Sequence, residues 1–323
     1  MKLIIQIPCY NEEATLAITL ADLPREVPGF DSVEWLIIDD GSADRTSEVA
    51  RSNGVDHVVR HTKNLGLAQT FLTGLDASVK AGADVIVNTD ADNQYCAADI
   101  PKLVQPILDG KADMVIGARP IDEIQHFSPL KKFFQKLGSY MVRVVSNTDI
   151  PDAPSGFRAI TRRTALRLNV FNEYTYTLET IIQAGHKGIA VTSVPIRTNE
   201  DLRPSRLVKT IPSYIRRSIV TMLRIFVIYR PMRFFFYLGS IPMAGGVALA
   251  LRWLYFLIYT DTTRTRLPSL LAAAVFVLIG FHIWTLGILA DLFAANRKIV
   301  EETQARVRMI EADLSANSRD ETA

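Results

Sequence analysis

With 323 residues and a formal net charge of +2, the chain is long enough for one full α/β domain with about 100 residues to spare, and its charge gives no case for a nucleic-acid partner. Only two cysteines occur, Cys9 and Cys96, neither in a CxxC pattern. A disulfide framework is excluded, and a reduced cytosolic compartment is expected for the main domain. The apolar run Leu3–Pro8 is too short for the core of a secretory signal and ends in proline, so it reads as a first buried strand.

The first half alternates β-rich runs with helical patterns. Strands are predicted at Lys2–Ile7, Val33–Asp39, His57–Arg60, Asp84–Thr89 and Asp113–Ala118. Helices are predicted between them, at about Glu12–Leu23, Asp44–Asn53, Leu67–Ala81 and Ala98–Asp109. Continuous apolar strands alternating with helices predict βαβ units and a mostly parallel sheet covered on both faces. Ligands of such sheets bind beyond the carboxyl ends of the strands, so polar residues that follow strands carry the interest. A further helix is expected at Tyr176–Gly185 and a strand at Ile189–Val194, closing a domain over residues 1–205.

Residues 206–233 read as amphipathic juxtamembrane helices, opened by Pro212. Lys209, Arg216, Arg217 and Arg224 oppose Ile215, Ile219, Leu223 and Phe226, the pattern of a helix lying among lipid headgroups; an ordinary solvated face has the same composition. Two apolar runs follow, at 234–258 and 268–293, each of about 25 residues or roughly 37 Å as helix, enough to cross a ~30 Å hydrocarbon core. Gly239, Gly245 and Gly246 in the first run and Gly280 and Gly287 in the second allow close helix packing, and His282 reads as a satisfied polar group. Arginines before the hairpin and Arg297, Lys298, Arg306 and Arg308 after it outnumber Arg264 and Arg266 in its turn, so both termini are expected in the cytosol. Residues 294–323 form a charged, helical tail that is expected to fray by Ser315.

Three clusters follow strands. Asp90-Ala91-Asp92-Asn93-Gln94 offers two carboxylates one residue apart, able to share a hard divalent cation that neutralises a diphosphate; alone, the pattern is equally that of an acidic loop. Asp39-Asp40-Gly41-Ser42-Ala43-Asp44-Arg45-Thr46 mixes turn and cap residues with two carboxylates suited to a nucleobase edge or ribose hydroxyl. Pro8-Cys9-Tyr10-Asn11-Glu12-Glu13 offers a ring for stacking beside a carboxylate, although Asn11 and Glu12 also suit a helix start.

Together, in this order and with Asn64, Gly66, Gly117 and Arg119, these residues resemble the family 2 glycosyltransferases of GT-A, Rossmann-like fold, over roughly residues 1–200. The resemblance implies that Pro8, Tyr10, Asn11, Glu12, Asp39 and Asp40 hold the nucleoside of a nucleotide-sugar donor, next to Asp90, Ala91 and Asp92. It implies Mg²⁺ or Mn²⁺ on Asp90, Asp92 and Gln94. Ser155-Gly156-Phe157-Arg158, the Tyr174–Glu179 segment, Arg197 through Arg206 and the hairpin are closer to the polyprenyl-phosphate group, which contains dolichol-phosphate mannose synthase. The Gln-x-x-Arg-Trp motif of processive synthases is disfavoured, because Leu249 stands in the glutamine position before Arg252-Trp253.

The resemblance further implies inverting transfer to a polyprenyl phosphate on the cytosolic membrane face, from UDP-glucose or GDP-mannose. A lipid phosphate is already anionic, so the enzyme must supply positive charge more than a base. Asp92, Arg119, Arg158 and Glu179 are the expected catalytic residues, and Arg119, Lys131, Arg203 and Arg206 the expected acceptor-phosphate contacts. Lys131 and Lys132 are placed on a loop, and a homo-oligomer is compatible with the basic, hairpin-bearing surface. Two alternatives stand beside this reading: transfer to a hydroxyl-bearing lipid, which would need a base, and a non-catalytic membrane scaffold that binds nucleotide-sugar.

Overall fold

The computed structural model describes residues 1–120, 129–170, 176–199, 220, 223–224, 226–260 and 267–320, and the chain divides into two compact units. The first comprises Met1–Ser218 with Glu301–Ala323, the second Ile219–Val300.

The first unit is built on a seven-stranded sheet in the order β3-β2-β1-β4-β6-β5-β7. Its strands are β1 (Lys2–Cys9), β2 (Ser32–Asp39), β3 (His57–Arg60), β4 (Val85–Asn88), β5 (Met114–Ala118), β6 (Arg158–Thr161) and β7 (Val191–Pro195). The intervening helices are α1 (Leu16–Asp22), α2 (Thr46–Ser52), α3 (Leu67–Lys80), α4 (Ile100–Leu108), α5 (Pro129–Ser146), α6 (Arg162–Arg167) and α7 (Thr177–His186). Strand β1 is central because Leu3, Ile4, Ile5 and Ile7 are all fully buried, which only a strand covered on both faces allows. Helix α3 lies close over it: a Cβ at Gly74 would come within 2.6 Å of Gln6 Oε1 and 2.8 Å of Ile38 Cδ1. Helix α4 buries Ile100, Leu103, Val104 and Ile107, the spacing of one helical face.

Strands β1 to β4 run parallel, as expected. The sequence pattern missed β6, which is antiparallel to both β4 and β5. Because β6 reverses twice, β5 runs parallel to β4 and ends at the same sheet edge. Helix α5 was also missed: the chain at Lys131 and Lys132 is helical, where a loop was expected. Its apolar residues Leu130, Phe133, Phe134, Leu137, Met141 and Val145 recur at helical spacing, a stripe that the expectation of a loop passed over. Helix α1 begins at Leu16, later than predicted, because Asn11 adopts a left-handed φ of 54° and the preceding loop is engaged elsewhere.

The second unit contains α8 (Pro231–Thr260) and the start of α9 (Leu267–Asp320), both long and apolar enough to cross a membrane. Their glycines let the backbones meet: a Cβ on Gly239 would lie 2.9 Å from Gly280 O, and one on Gly246 would lie 2.9 Å from Ala273 O. Trp284 stacks on Phe236 and donates its indole N–H to Phe236 O at 3.1 Å. His282 bonds Leu278 O at 2.8 Å within its own helix, matching the satisfied role expected. Helix α9 continues to Asp320 without a break at the expected tail boundary. Its last portion belongs to the first unit, where Glu301 pairs with Lys187 at 3.2 Å and Arg308 donates to Leu168 O at 3.0 Å. Much of the amphipathic segment predicted at 206–233 falls outside the described residues, as do Arg203 and Arg206; its described residues, 220, 223–224 and 226–233, are helical except at Arg230.

Candidate active site

The three sequence clusters follow β1, β2 and β4, adjacent parallel strands, so they meet at one sheet edge. Arg119 follows β5 and Arg158 opens β6 at that same edge. The sheet topology therefore brings Pro8–Glu12, Asp39–Asp40, Asp90–Gln94, Arg119 and Arg158 into one region.

The first two loops lock onto each other. Asp40 N–H donates to Cys9 O at 2.8 Å, Asn11 N–H to Ser42 Oγ at 2.9 Å, Ala43 N–H to Asn11 Oδ1 at 2.8 Å and Glu12 N–H to Thr46 Oγ1 at 2.9 Å. Gly41, at φ 69°, makes this turn and packs so tightly on Lys63 that a Cβ would meet its backbone at 2.6 Å. Tyr10 is 44% exposed. Burial pushes the Cys9 thiol well above its usual range, as for an inert core cysteine.

Asp39 and Asp40 are held by the protein itself. Asp39, 0% exposed, accepts from Ser42 N–H at 2.8 Å and from the Ser47 hydroxyl, with Arg60 Nε at 3.5 Å. Asp40 accepts from His61 Nδ1 and Leu65 N–H, both at 2.8 Å, and from Gly66 N–H at 2.9 Å. His61, whose other ring nitrogen meets Thr73 Oγ1 at 3.0 Å, was not singled out by the sequence, where it is a lone histidine after a short strand.

Asp90 is different. It is half-buried, and its carboxylate has no hydrogen-bond partner among the described residues. Burial, and then the Asp92 charge, push its pKa up to about 7, against the pull of Arg119 and Arg158. A carboxylate so placed favours a cation beside it. Among the described residues no cluster of three or more acidic, histidine or cysteine side chains could enclose a metal. Two carboxylates and an amide instead suit Mg²⁺ or Mn²⁺, which take one or two protein carboxylates and complete their shell with substrate phosphates and water.

The wall behind Asp90 is a buried polar ladder that the sequence did not announce. Gln6 donates to Asn88 Oδ1 at 2.9 Å, and Asn88 Nδ2 donates to Gly156 O and to Tyr176 Oη, both at 2.9 Å. Gly156 N–H donates to Tyr95 Oη at 2.9 Å, and burial pushes the Tyr95 phenol up to about 12. Tyr176 stacks on Phe71 at 3.9 Å and Tyr95 on Phe157 at 5.1 Å. A Cβ on Gly156 would stand 3.0 Å from Tyr176 Oη and 3.2 Å from each Asp90 oxygen, so a larger residue would press on both side chains.

Arg119 grips Asp152 as a fork: Nε at 2.7 Å to Oδ2 and Nη2 at 3.0 Å to Oδ1, with its own N–H at 3.2 Å. Burial opposes the charged guanidinium, but Tyr95, Asp152 and Asp90 outweigh it and raise its pKa. Asp152 escaped the sequence reading because it lies far along the chain, after α5. Arg158 is 0% exposed; it bonds Ser155 O, Thr177 O and Thr180 Oγ1 and stands 5.2 Å from the Tyr176 ring. It offers no exposed atom to a ligand, and its effect on Asp90 is through charge. Glu179 lies almost buried in the first turn of α7. The side chain of Lys131 lies outside the described residues.

Comparison with known proteins bears on the family and the fold. An undecaprenyl-phosphate mannosyltransferase of Micrococcus luteus is 28% identical over 206 residues, covering 61% of this chain and 83% of that protein. Glycosyltransferase AglJ of Haloferax volcanii is 27% identical over 309 residues, 94% of this chain and 96% of the relative. Among solved structures, glucosyl-3-phosphoglycerate synthase of Mycobacterium tuberculosis in complex with Mn²⁺, UDP and phosphoglyceric acid superposes with TM-score 0.53 at 18% identity, covering 68% of this chain and 78% of that one, which shows a shared GT-A fold. The sequence model of the family described as Glycosyl transferase family 2 matches residues 4–167, the stretch holding the strand-end loops and Arg119, and the chain belongs to that family.

Proposed function

We propose that this glycosyltransferase moves a sugar from a nucleotide-sugar to a polyprenyl phosphate at the cytosolic face of a membrane, inverting the anomeric centre and requiring Mg²⁺ or Mn²⁺. The carrying observation is the pairing, at one sheet edge, of an untied carboxylate at Asp90 with a guanidinium fixed by Asp152. One half of such a site suits a cation-bound diphosphate and the other an anionic acceptor. The Micrococcus luteus relative named for an undecaprenyl-phosphate acceptor, and two helices long enough to span a bilayer, support a lipid acceptor. The positive charges flanking the apolar helices support cytosolic placement of the catalytic unit and both termini.

In this reading Tyr10 stacks on the base, and the interlocked loops carrying Pro8, Asn11, Glu12, Asp39 and Asp40 frame the nucleoside. Asp90 and Asp92, with Gln94, would hold the divalent ion, whose contribution is to neutralise the leaving diphosphate. Arg119 binds the acceptor phosphate and orients one oxygen toward the anomeric carbon. Its fork on Asp152 fixes that orientation in advance, where rearrangement would otherwise slow the step. The acceptor oxygen is already ionised near neutral pH, so no side chain need remove a proton from it. The buried charge of Arg158 helps hold the negative groups gathered at Asp90, and Glu179 orients sugar hydroxyls. Lys131, Arg203 and Arg206 complete the basic approach for the acceptor.

The test is a transfer assay with purified protein in nanodiscs. It uses radiolabelled UDP-glucose, GDP-mannose or UDP-N-acetylglucosamine, with Mg²⁺, Mn²⁺ or EDTA, and with or without undecaprenyl phosphate. Label should enter the lipid phase with one donor, and only when both divalent ion and lipid phosphate are present. Transfer that persists in EDTA, or into a neutral lipid lacking phosphate, would overturn the proposal.

A further inference from the structure

Residues 89–96 between β4 and the short helical turn at Ala97–Asp99 form no regular element, yet their peptide groups are held from two sides. From α1, the Thr19 hydroxyl donates to Ala91 O at 2.9 Å, and Asp22 accepts from Asn93 Nδ2 at 2.7 Å. From the other side, residues 197–199 run antiparallel alongside. Cys96 N–H donates to Arg197 O at 3.3 Å, Tyr95 bridges Thr198, and Arg197 anchors the strip through Asp99 at 2.8 Å.

Asn199 makes the contacts nearest the paired carboxylates. Its N–H donates to Gln94 O at 2.9 Å and its Nδ2 to Asn93 O, also at 2.9 Å. Asn93 O belongs to the peptide whose other end is Gln94 N–H, and that N–H points at Asp92 Oδ1 at 3.3 Å. The Asn199 amide therefore holds one end of a peptide group whose other end touches the Asp92 carboxylate. Asn93 itself sits at φ 56°, a left-handed conformation that persists where surrounding contacts impose it. With the Asn199 donor removed, Asn93 O loses this bond, rotation of the 93–94 peptide becomes easier, and rotation would take the N–H away from Asp92.

We propose that Asn199 is a positioning residue for the divalent-ion site, acting through the Asn93–Gln94 peptide on Asp92 and Gln94. The inference rests on the cation-dependent reading above. It also gives the strip at residues 197–199 a direct hold on the donor side of the site.

The experiment measures Mn²⁺ binding by the full-length protein, from the electron-paramagnetic-resonance signal of free Mn²⁺, with UDP and separately with GDP. Asn199→Ala removes the side chain, whereas Asn199→Asp keeps the shape and replaces the donor by an acceptor. Both variants should bind Mn²⁺ up to about tenfold more weakly than wild type, the effect expected for losing one partly buried hydrogen bond. Thermal midpoints in EDTA should stay within about 2 °C of wild type, and saturating Mn²⁺ should restore most of kcat. Unchanged Mn²⁺ affinity in both variants, with wild type binding normally, would overturn the proposal. So would a weakened affinity matched by a large fall in the EDTA midpoint, which marks a structural role. If wild type binds no Mn²⁺ with either nucleotide, the cation-dependent reading fails first.

Discussion

Replacing Asp90 by asparagine should stabilise the metal-free protein while abolishing its activity. The carboxylate is half-buried and lacks a hydrogen bond among the described residues, and its pKa rises from 3.8 to about 7. A difference of about three pKa steps at ~1.36 kcal/mol each gives an upper bound of ~4 kcal/mol for the penalty of ionising it in the folded state. Its remaining contact with water halves that figure to about 2 kcal/mol. The sign follows from proton counts. Between the two pKa values the folded state binds more protons than the unfolded one, so stability falls as pH rises from about 4 to about 7 and stays low above that. Asparagine keeps the shape without the charge, so the penalty is absent at every pH. For a domain of this size the gain corresponds to a midpoint about 4–8 °C higher at pH 8 in EDTA, shrinking toward pH 5. The assay is thermal unfolding followed by tryptophan emission, with Trp35 reporting from the core of the first unit. Mn²⁺ with nucleoside diphosphate should raise the wild-type midpoint and leave Asp90→Asn unmoved. A variant that melts at or below wild type at pH 8, or by a margin independent of pH, would refute the reasoning.

Three further outcomes follow from the site and its supports. Gly156→Ala places a methyl 3.0 Å from Tyr176 Oη and 3.2 Å from the Asp90 oxygens, so it should lower stability by about 1–3 kcal/mol and weaken Mn²⁺ activation, read from melting and from turnover against Mn²⁺ concentration. Arg119→Lys cannot rebuild the fork on Asp152 and should cut kcat/KM for the lipid acceptor about 100-fold with little change in donor KM, while Asp152→Asn should cut it about tenfold. Lys187 and Glu301 form a pair at 3.2 Å with side chains only 14% and 6% exposed, so Lys187→Glu or Glu301→Lys alone should destabilise the first unit by about 3 kcal/mol. The double exchange should recover part of the loss, measured as a double-mutant cycle on the melting midpoint.

The strands of the first half were legible because central parallel strands need apolar residues on both faces, and runs such as Leu3–Ile7 have little other use. Strand β6 was not legible, because its first residue is an arginine and its length is only four residues. Arg158 is tolerated there because α7 supplies the Thr177 carbonyl and Thr180 hydroxyl, partners that lie about twenty residues away and leave no periodic trace. Helix α5, by contrast, is legible in its apolar spacing, Leu130, Phe133, Phe134, Leu137, Met141 and Val145, and only its buried Ser139 and Ser146, satisfied by Ala153 N–H and Val142 O, interrupt that pattern. Arg119 was legible from its place after an apolar strand, but the Asp152 that orients it was not, since a fork between distant residues has no spacing rule.

The acidic residues show most clearly where sequence reading stops. Asp39, Asp40, Asp90 and Asp152 are the same chemical group, and three of them follow strands in equivalent fashion. Spacing cannot say which carboxylate the protein uses for its own architecture and which it leaves for a ligand; the count of internal partners can. Asp39 has two hydrogen bonds and a nearby arginine, Asp40 three, and Asp152 a guanidinium fork, whereas Asp90 has none among the described residues. Removing a satisfied buried carboxylate strands its donors and damages the fold. Removing an unsatisfied one relieves the fold and damages only what the site binds. The two classes of aspartate should therefore move stability in opposite directions, which ties the ion-binding role of Asp90 to a quantity that can be measured without knowing the sugar or the lipid.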